Sequence, residues 1–262
     1  VLPAVRRAFR RPDTVSAGWY RGTVAPRWET DAPGPPTLNL PLQGTYLREV
    51  GGRARVVDPS RLVWFAPGEG VRSRPRSDVP VTHEGLYLQL SAGLLAEVTD
   101  AWERRPPPSA DAPAGPQVVA QVWDAFEAAA HAAPDDAEDA LGELFLGLLG
   151  PVEAPPPAPR RVRDAQQWLA EDPAGAPGPT GLADALGGSR FALCRQFRAA
   201  TGRSVSAYRE DLRLVRAVQR LRDGEADLAA LALSLGFSSH SHFTLRFRRR
   251  LGRAPAAVRA RR

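Results

Sequence analysis

Residues 231–252 read Leu-Ala-Leu-Ser-Leu-Gly-Phe-Ser-Ser-His-Ser-His-Phe-Thr-Leu-Arg-Phe-Arg-Arg-Arg-Leu-Gly. Leu231, Ala232 and Leu235 recur at helical spacing, and Gly236 stops that short helix. Ser238 or Ser239 is placed to cap a second helix whose buried side is Phe243 and Phe247, four residues apart. Its other side carries Ser241, Thr244, Leu245 and Arg248, and Gly252 closes it. Two short helices joined at a glycine, the second running out through Arg248, Arg249 and Arg250, are the sequence form of a helix-turn-helix.

The stretch has a copy. Leu182-Ala183 through Leu186-Gly187 returns as Leu231-Ala232 through Leu235-Gly236, an offset of 49 (231 − 182). Past the turn the offset is 50: Ser189 matches Ser239, Phe197 matches Phe247, Arg198 matches Arg248, Gly202 matches Gly252 and Arg209 matches Arg259. The extra residue falls in the turn, Gly-Gly-Ser against Gly-Phe-Ser-Ser, where an insertion is tolerated best. Two copies are too few for a solenoid, which needs at least about three. They suffice for a tandem reader of DNA.

Composition narrows the field. The 262 residues suit two compact domains. Lysine and isoleucine are absent, so all 35 basic residues are arginine, which speaks of GC-rich codons before it speaks of function. The single Cys194 forbids an internal disulfide and fits a reducing compartment. No apolar run approaches 18 residues, and Arg6, Arg7, Arg10 and Arg11 have no apolar core behind them, so neither a membrane span nor a secretory signal is expected. The chain reads as cytoplasmic. Charge is unevenly placed: residues 160–262 hold 20 Arg against 9 Asp and Glu (+11), residues 1–99 hold 13 against 9 (+4), and 100–159 hold 2 against 11 (−9). A basic C-terminal third is the electrostatic footprint of a phosphate-backbone binder, and an arginine-rich solvated surface is the bland alternative.

The N-terminal half alternates. Strands are expected at Val15–Tyr20, from Leu38 to Leu42, at Tyr46–Val50 and Arg53–Val57 around a Gly51-Gly52 turn, at Arg61–Ala66 ahead of Pro67-Gly68, and at Glu84–Leu90. Short strands with Pro/Gly turns suggest a small antiparallel barrel or sandwich. Residues 104–116 read as a loop. Two helices follow, one on Val118, Val122 and Phe126, the other on Ala140, Leu141, Leu144, Phe145 and Leu148, both acidic outside the apolar stripe. Residues 151–159, Pro-Val-Glu-Ala-Pro-Pro-Pro-Ala-Pro, form a semi-rigid linker. Beyond it Val162, Ala165 and Leu169 sit on a bracing helix, and Ser204–Leu221 reads as one long helix spanning about 27 Å. Two reading heads about 34 Å apart would enter successive major grooves on one side of a duplex.

Residues 160–262 resemble the DNA-binding domain of AraC/XylS-type transcription regulators. The resemblance rests on Leu-Gly-Phe-Ser-Ser-His-Ser-His-Phe-Thr-x-x-Phe-Arg-Arg-x-x-Gly-x-x-Pro ahead of Arg259, and on Ser189-Arg190-Phe191, Arg195-Gln196-Phe197, Thr201-Gly202 and Tyr208 in the first copy. It departs at residues 172–181, which are more Pro/Gly-rich than the family usually has there. It implies an α+β chain: an N-terminal cupin-like β-barrel (15–95) with two following helices (117–149) that sense an effector and dimerise over 1–150, a linker at 151–159, and an all-α DNA-binding domain at 160–262. That domain divides into a first helix-turn-helix at 181–202, a linker helix at 204–221 and a second helix-turn-helix at 228–252. The implied partners are double-stranded DNA, RNA polymerase, a small-molecule effector and a second copy of the chain. The implied role is activation.

Site residues follow from helical faces. With Leu193 and Phe197 inward, the first reading helix presents Phe191, Cys194, Arg195 and Arg198; the second presents Ser241, Thr244, Leu245 and Arg248, with His240 near its start. These match the positions where the resembling family places base-contacting side chains. Phe191, Cys194, Arg195, His240, Ser241, Thr244 and Leu245 are therefore the base-reading set, with Arg195 the bidentate donor for guanine and Phe191 and Leu245 limited to apolar contact. Arg190, Arg198, Arg246, Arg248 and Arg249 are expected to hold phosphates. In the N-terminal half Trp19, Tyr20, Trp28, Tyr46, Trp64, His83 and Tyr87 are the candidates for an effector pocket, against the plain alternative that each is core. Only His83 lies among the strands, too few histidines for the metal site of a cupin enzyme, so no metal, cofactor or catalytic residue is expected. Two rivals stay open: the same DNA binding with a ligand-free dimerisation or protein-contact module in front, and a cupin-like enzyme with a DNA-binding appendage.

Overall fold

The computed structural model describes residues 4–11, 14–31, 34–50, 52–67, 70–75, 78–101, 110–148 and 158–259. Most of the Pro-rich linker expected at 151–159 lies outside them, as do Gly51, Gly68 and residues 104–109 of the expected loop. Contacts divide the chain into two compact units, one of residues 1–57, 61–113 and 121–154, the other of residues 58–60, 114–120 and 155–262.

In the first unit, strands β1 (Ala4–Arg11), β2 (Val15–Val24), β3 (Glu29–Asp31), β4 (Thr37–Gln43), β5 (Tyr46–Val50), β6 (Arg53–Val57), β7 (Arg61–Phe65), β8 (Val71–Arg74) and β9 (Val81–Leu90) precede helix α1 (Ala92–Ala101). Strand β10 (Ala110–Pro113) and helices α2 (Pro116–Ala129) and α3 (Pro134–Leu148) follow. The strands make two sheets, β1-β2-β9-β4-β7-β10 and β3-β8-β5-β6, with every described pairing antiparallel. This corrects the expectation of a barrel. The described strands form two open sheets facing each other, because β5 pairs with β8 and β6, and β6 ends the small sheet rather than closing onto the larger one.

Register assigns the faces of the large sheet. Trp19 pairs with Leu86, Leu40 with Leu86, and Leu38 with both Leu88 and Trp64, so these side chains share one face. That face meets the helices, since Trp19 stacks edge-on against Trp123 and Phe126, and Trp64 against Phe145, at centroid distances of 5.6–6.0 Å. Tyr20, His83 and Tyr87 are on the opposite face, one residue out of phase. There Val24 and Val63 of the large sheet pack on Tyr46 and Val57 of the small one.

The second unit is helical: α4 (Arg160–Glu171), α5 (Pro179–Leu186), α6 (Arg190–Thr201), α7 (Val205–Arg222), α8 (Leu228–Ser234), α9 (His240–Leu251) and a closing 3-10 turn, Pro255–Val258. Helix α5 starts at Pro179, ahead of the expected Gly181, because Pro179 is preset for the first helical position. Its core joins Val162, Ala165 and Leu169 of α4, Leu182, Leu193 and Phe197 of the first repeat, and Val205, Tyr208 and Leu212 of α7. The buried Tyr208 hydroxyl accepts from Gln166 Nε2 at 3.1 Å, and its ring meets Phe197 edge-on. No helix among the described residues is long and apolar enough to cross a membrane.

Candidate nucleic-acid interface

The repeat seen in the sequence is a repeat in space, down to its caps. Ser189 Oγ accepts from the Ala192 amide at 3.2 Å, and fifty residues on Ser239 Oγ accepts from the His242 amide at 3.1 Å. Each serine satisfies one of the four amides that a helix N-terminus leaves unpaired. Helices α6 and α9 are both 12 residues long and end at left-handed glycines, Gly202 (φ 71°) and Gly252 (φ 74°), whose amides return to the Arg198 and Arg248 carbonyls. Leu193 and Phe197 are fully buried in one copy, Phe243 and Phe247 in the other.

An arginine of the preceding long helix holds each turn. Arg161 Nη1 on α4 donates to the Gly187 carbonyl at 2.6 Å, and Arg213 Nη1 on α7 donates to the Gly236 carbonyl at 3.0 Å. Arg209 and Arg213 also grip the carbonyls of Pro173 and Ala174, so the Pro/Gly-rich stretch at 172–181 is an acceptor platform for α7. Arg259, the repeat mate of Arg209, donates in the same manner to the Ala226 carbonyl.

The opposite face of each reading helix is left open. Phe191 is 84% exposed and Leu245 65%, unusual for large apolar side chains, and Arg195 and Ser241 are exposed beside them. Arg190, Arg195, Arg198, Arg248 and Arg249 are exposed and have no hydrogen-bond or ion-pair partner among the described residues. Neither α6 nor α9 contains an acidic residue. By contrast Arg203, Arg209, Arg213, Arg216, Arg220, Arg246 and Arg250 are committed to protein carbonyls or carboxylates. Two positions of the expected set sit differently. Arg246 is held by both carboxylate oxygens of Glu210, at 2.9 and 3.0 Å from its Nε, which draws it away from phosphate contact. Cys194 is half-buried and packs on the core of the first repeat. Thr244 Oγ1 lies 3.3 Å from His240 Nε2, and His242 Nδ1 3.0 Å from Ser238 Oγ, so both hydroxyls have partners within the helix and its cap.

The aromatic set in the first unit does not converge on one place. Trp19 and Trp64 are on the helix-facing side of the large sheet and Trp28 lies under Arg72 and Arg74, each 5.1 Å from its ring. Tyr87 shares the other face and lies 3.5 Å, hydroxyl to hydroxyl, from Ser16. Tyr20, His83 and Tyr46 do gather there, with the imidazole 5.5 Å from one ring and 5.2 Å from the other. Gly85 makes the room: a Cβ would lie 2.7 Å from the Tyr20 hydroxyl. The Tyr20 hydroxyl and His83 Nδ1 are buried without a hydrogen-bond partner among the described residues. Burial pushes Tyr20 well above its ordinary range, with Tyr46 adding to it, and pulls His83 down to about 4 despite the opposing pull of Glu84. No group of three or more metal-ligating side chains is gathered among the described residues.

The depressed imidazole has a measurable consequence. Unfolded, His83 takes up a proton near pH 6.5; folded, it resists until about 4. The unfolded state thus binds more protons across that window, and stability should fall as pH drops from about 6.5 towards 4. Denaturant midpoints measured across that range should show a shallower decline for His83→Gln than for the parent chain. Equal slopes would mean that His83 is not held neutral.

Two helix-turn-helix units on a shared scaffold helix, with matched caps and outward arginines, define a tandem helix-turn-helix domain. Residues 182–261 match a helix-turn-helix domain family. An AraC-like transcription regulator of Streptomyces antibioticus is 34% identical over 123 residues, 47% of this chain and 38% of that one. The transcriptional activator RhaS of Escherichia fergusonii is 35% identical over 99 residues, 38% of this chain and 36% of that one. Among solved structures, ToxT of Vibrio cholerae aligns over 93% of this chain and 97% of its own at 11% identity and a TM-score of 0.39. In its C-terminal domain the chain is thus similar to AraC-like helix-turn-helix transcription regulators. The matched stretch spans less than two fifths of the length of these curated relatives.

Proposed function

We propose that this protein is a sequence-specific regulator of transcription that binds duplex DNA through α6 and α9. The observation that carries the reading is the division of its arginines. Those around α7 are bound to protein, whereas Arg190, Arg195, Arg198, Arg248 and Arg249 have no partner among the described residues and lie beside exposed Phe191, Ser241 and Leu245. A reading helix needs both kinds of side chain: cations for phosphates, and a mixed surface for base edges. Arg195, Phe191, His240, Ser241 and Leu245 form the base-facing set, and the other four arginines take the backbone. Each phosphate neutralised steepens the log–log dependence of affinity on salt by about 0.9, so four contacts correspond to a slope of about −3.6. Filter binding of the full chain to a selected duplex across a salt series measures it. A slope near zero would remove the reading.

The likeness to RhaS, a transcriptional activator, favours activation as the sign of regulation. For the first unit we propose a small effector bound between the sheets, at Tyr20, Tyr46 and His83 rather than across the whole aromatic set. The Tyr20 hydroxyl and His83 Nδ1, buried with no hydrogen-bond partner among the described residues, support it, because such groups cost about 1–3 kcal/mol each unless something satisfies them. An uncharged ligand with an aromatic or aliphatic body and one or two hydrogen-bonding groups suits a neutral imidazole between two phenols. At 100 times its dissociation constant such a ligand stabilises the protein by about 2.7 kcal/mol. Melting the chain against a library of such compounds should find one whose shift Tyr20→Phe with His83→Phe abolishes. If no compound shifts the melting, the ligand-free dimerisation module is the better reading.

A further inference from the structure

The two reading helices are tied to one another through a few side chains of α7. Glu210 and Asp211 are adjacent on that helix, and each takes an arginine from α9: Glu210 binds Arg246, and Asp211 accepts from Arg250 Nε at 2.8 Å. Arg246 and Arg250 are one turn apart on the flank of α9 that faces away from Ser241, Leu245 and Arg248. Asp211 is fully buried and also meets Arg203, at 2.9 Å, in the turn between α6 and α7. One carboxylate thus joins the end of the first reading unit to the side of the second. Arg213 repeats the arrangement, with one nitrogen on the turn of the second unit at Gly236 and two on Pro173 and Ala174 ahead of the first.

Ion pairs in such settings add little to stability, because desolvation offsets much of the attraction. Fixing register is the best-attested use of such groups. We infer that Glu210, Asp211 and Arg213 are positioning residues that hold the two reading helices in one relative register, so that the protein discriminates the spacing between its two half-sites as well as their sequence. The inference rests on the reading that both helices engage DNA. One base pair inserted between half-sites turns one against the other by about 34° and moves it about 3.4 Å. A braced pair of heads cannot follow that; an unbraced pair can.

The test uses the full chain and a duplex selected by it from a random pool, together with versions carrying one base pair more or less between the half-sites. The parent chain should bind the altered duplexes at least about tenfold more weakly, a cost of about 1.4 kcal/mol. Glu210→Gln with Arg250→Gln should bring that penalty below about threefold while leaving the selected bases within each half-site unchanged. The charge swap Glu210→Arg with Arg246→Glu, which keeps a pair at the surface and leaves Asp211 intact, should restore the penalty and guards against mere loss of folding. If the doubly substituted chain keeps the full penalty, or the swap fails to restore it, register is held elsewhere and the inference falls. If the parent chain binds duplex DNA but ignores spacing, the inference falls and the DNA reading stands. If it binds no duplex at all, both fall.

Discussion

Replacing Phe247 with alanine is expected to destabilise the second helix-turn-helix by about 3–5 kcal/mol, the usual cost of removing a buried aromatic ring. The ring is fully buried, meets Phe243 at 5.5 Å, and shares the buried face of α9 with Phe243 and Leu251. A whole domain is stable by only about 5–15 kcal/mol, so the variant should lose much of its cooperative unfolding transition. Leu245→Ala, half a turn away and 65% exposed, should change the unfolding free energy by no more than about 0.5 kcal/mol, as surface substitutions do. Two apolar residues on one helix should therefore differ about tenfold in their effect on stability. If Leu245→Ala proves the more damaging, the inward and outward faces of α9 have been exchanged; if the two variants unfold alike, α9 does not pack by one face.

The C-terminal repeat was readable because local rules and tertiary structure agree there. The glycines stop the helices, the serines start them, and spacing of four places Phe243 and Phe247 in the core. Cys194 and Arg246 show the limit of facial reasoning. A helical wheel separates inward from outward, but it does not show which neighbouring helix lies alongside. Glu210, which claims Arg246, is 36 residues distant in the chain. A partial signal was available: Glu210 and Asp211 are adjacent acids in a helix otherwise rich in arginine, and the fully buried carboxylate of Asp211 needs cationic partners.

In the N-terminal half alternation located β2, β4, β5, β6, β7 and β9 and said nothing about their neighbours. Strand β9 lies between β2 and β4, pairings that span more than forty residues and that no local pattern encodes. Strands β3, β8 and β10 have three or four residues each, too few to alternate visibly, and β10 ends in proline at an edge of its sheet, where a missing amide is tolerated. Trp19 and Tyr20 cannot line one pocket, because neighbours on a strand point to opposite faces. Applied to β2, that rule separates Trp19 from Tyr20 by sequence alone, whereas placing His83 beside Tyr20 takes the register of β2 against β9.

The first reading helix is expected to supply most of the base discrimination and the second to act mainly as a clamp. The repeat puts Arg195 and Leu245 at equivalent positions, and both are exposed on the open faces of their helices. A guanidinium that donates twice to guanine discriminates against a wrong base by about 1–3 kcal/mol, whereas leucine has no hydrogen bond to lose. Arg195→Ala should therefore relax the selected site at one base pair, by about fivefold to more than a hundredfold, and leave affinity for unrelated duplexes nearly unchanged. Leu245→Ala should alter preference less, because the contact it removes is apolar and partly retained by Ser241 and His240 at the start of the helix. Arg248→Ala should weaken binding to every sequence alike and flatten the salt dependence by about one contact. Site selection repeated with the three variants distinguishes these outcomes, since base reading changes the consensus and backbone holding changes only the yield. A consensus scrambled in one half by Leu245→Ala and left intact by Arg195→Ala would assign the reading role to α9 and the clamp to α6.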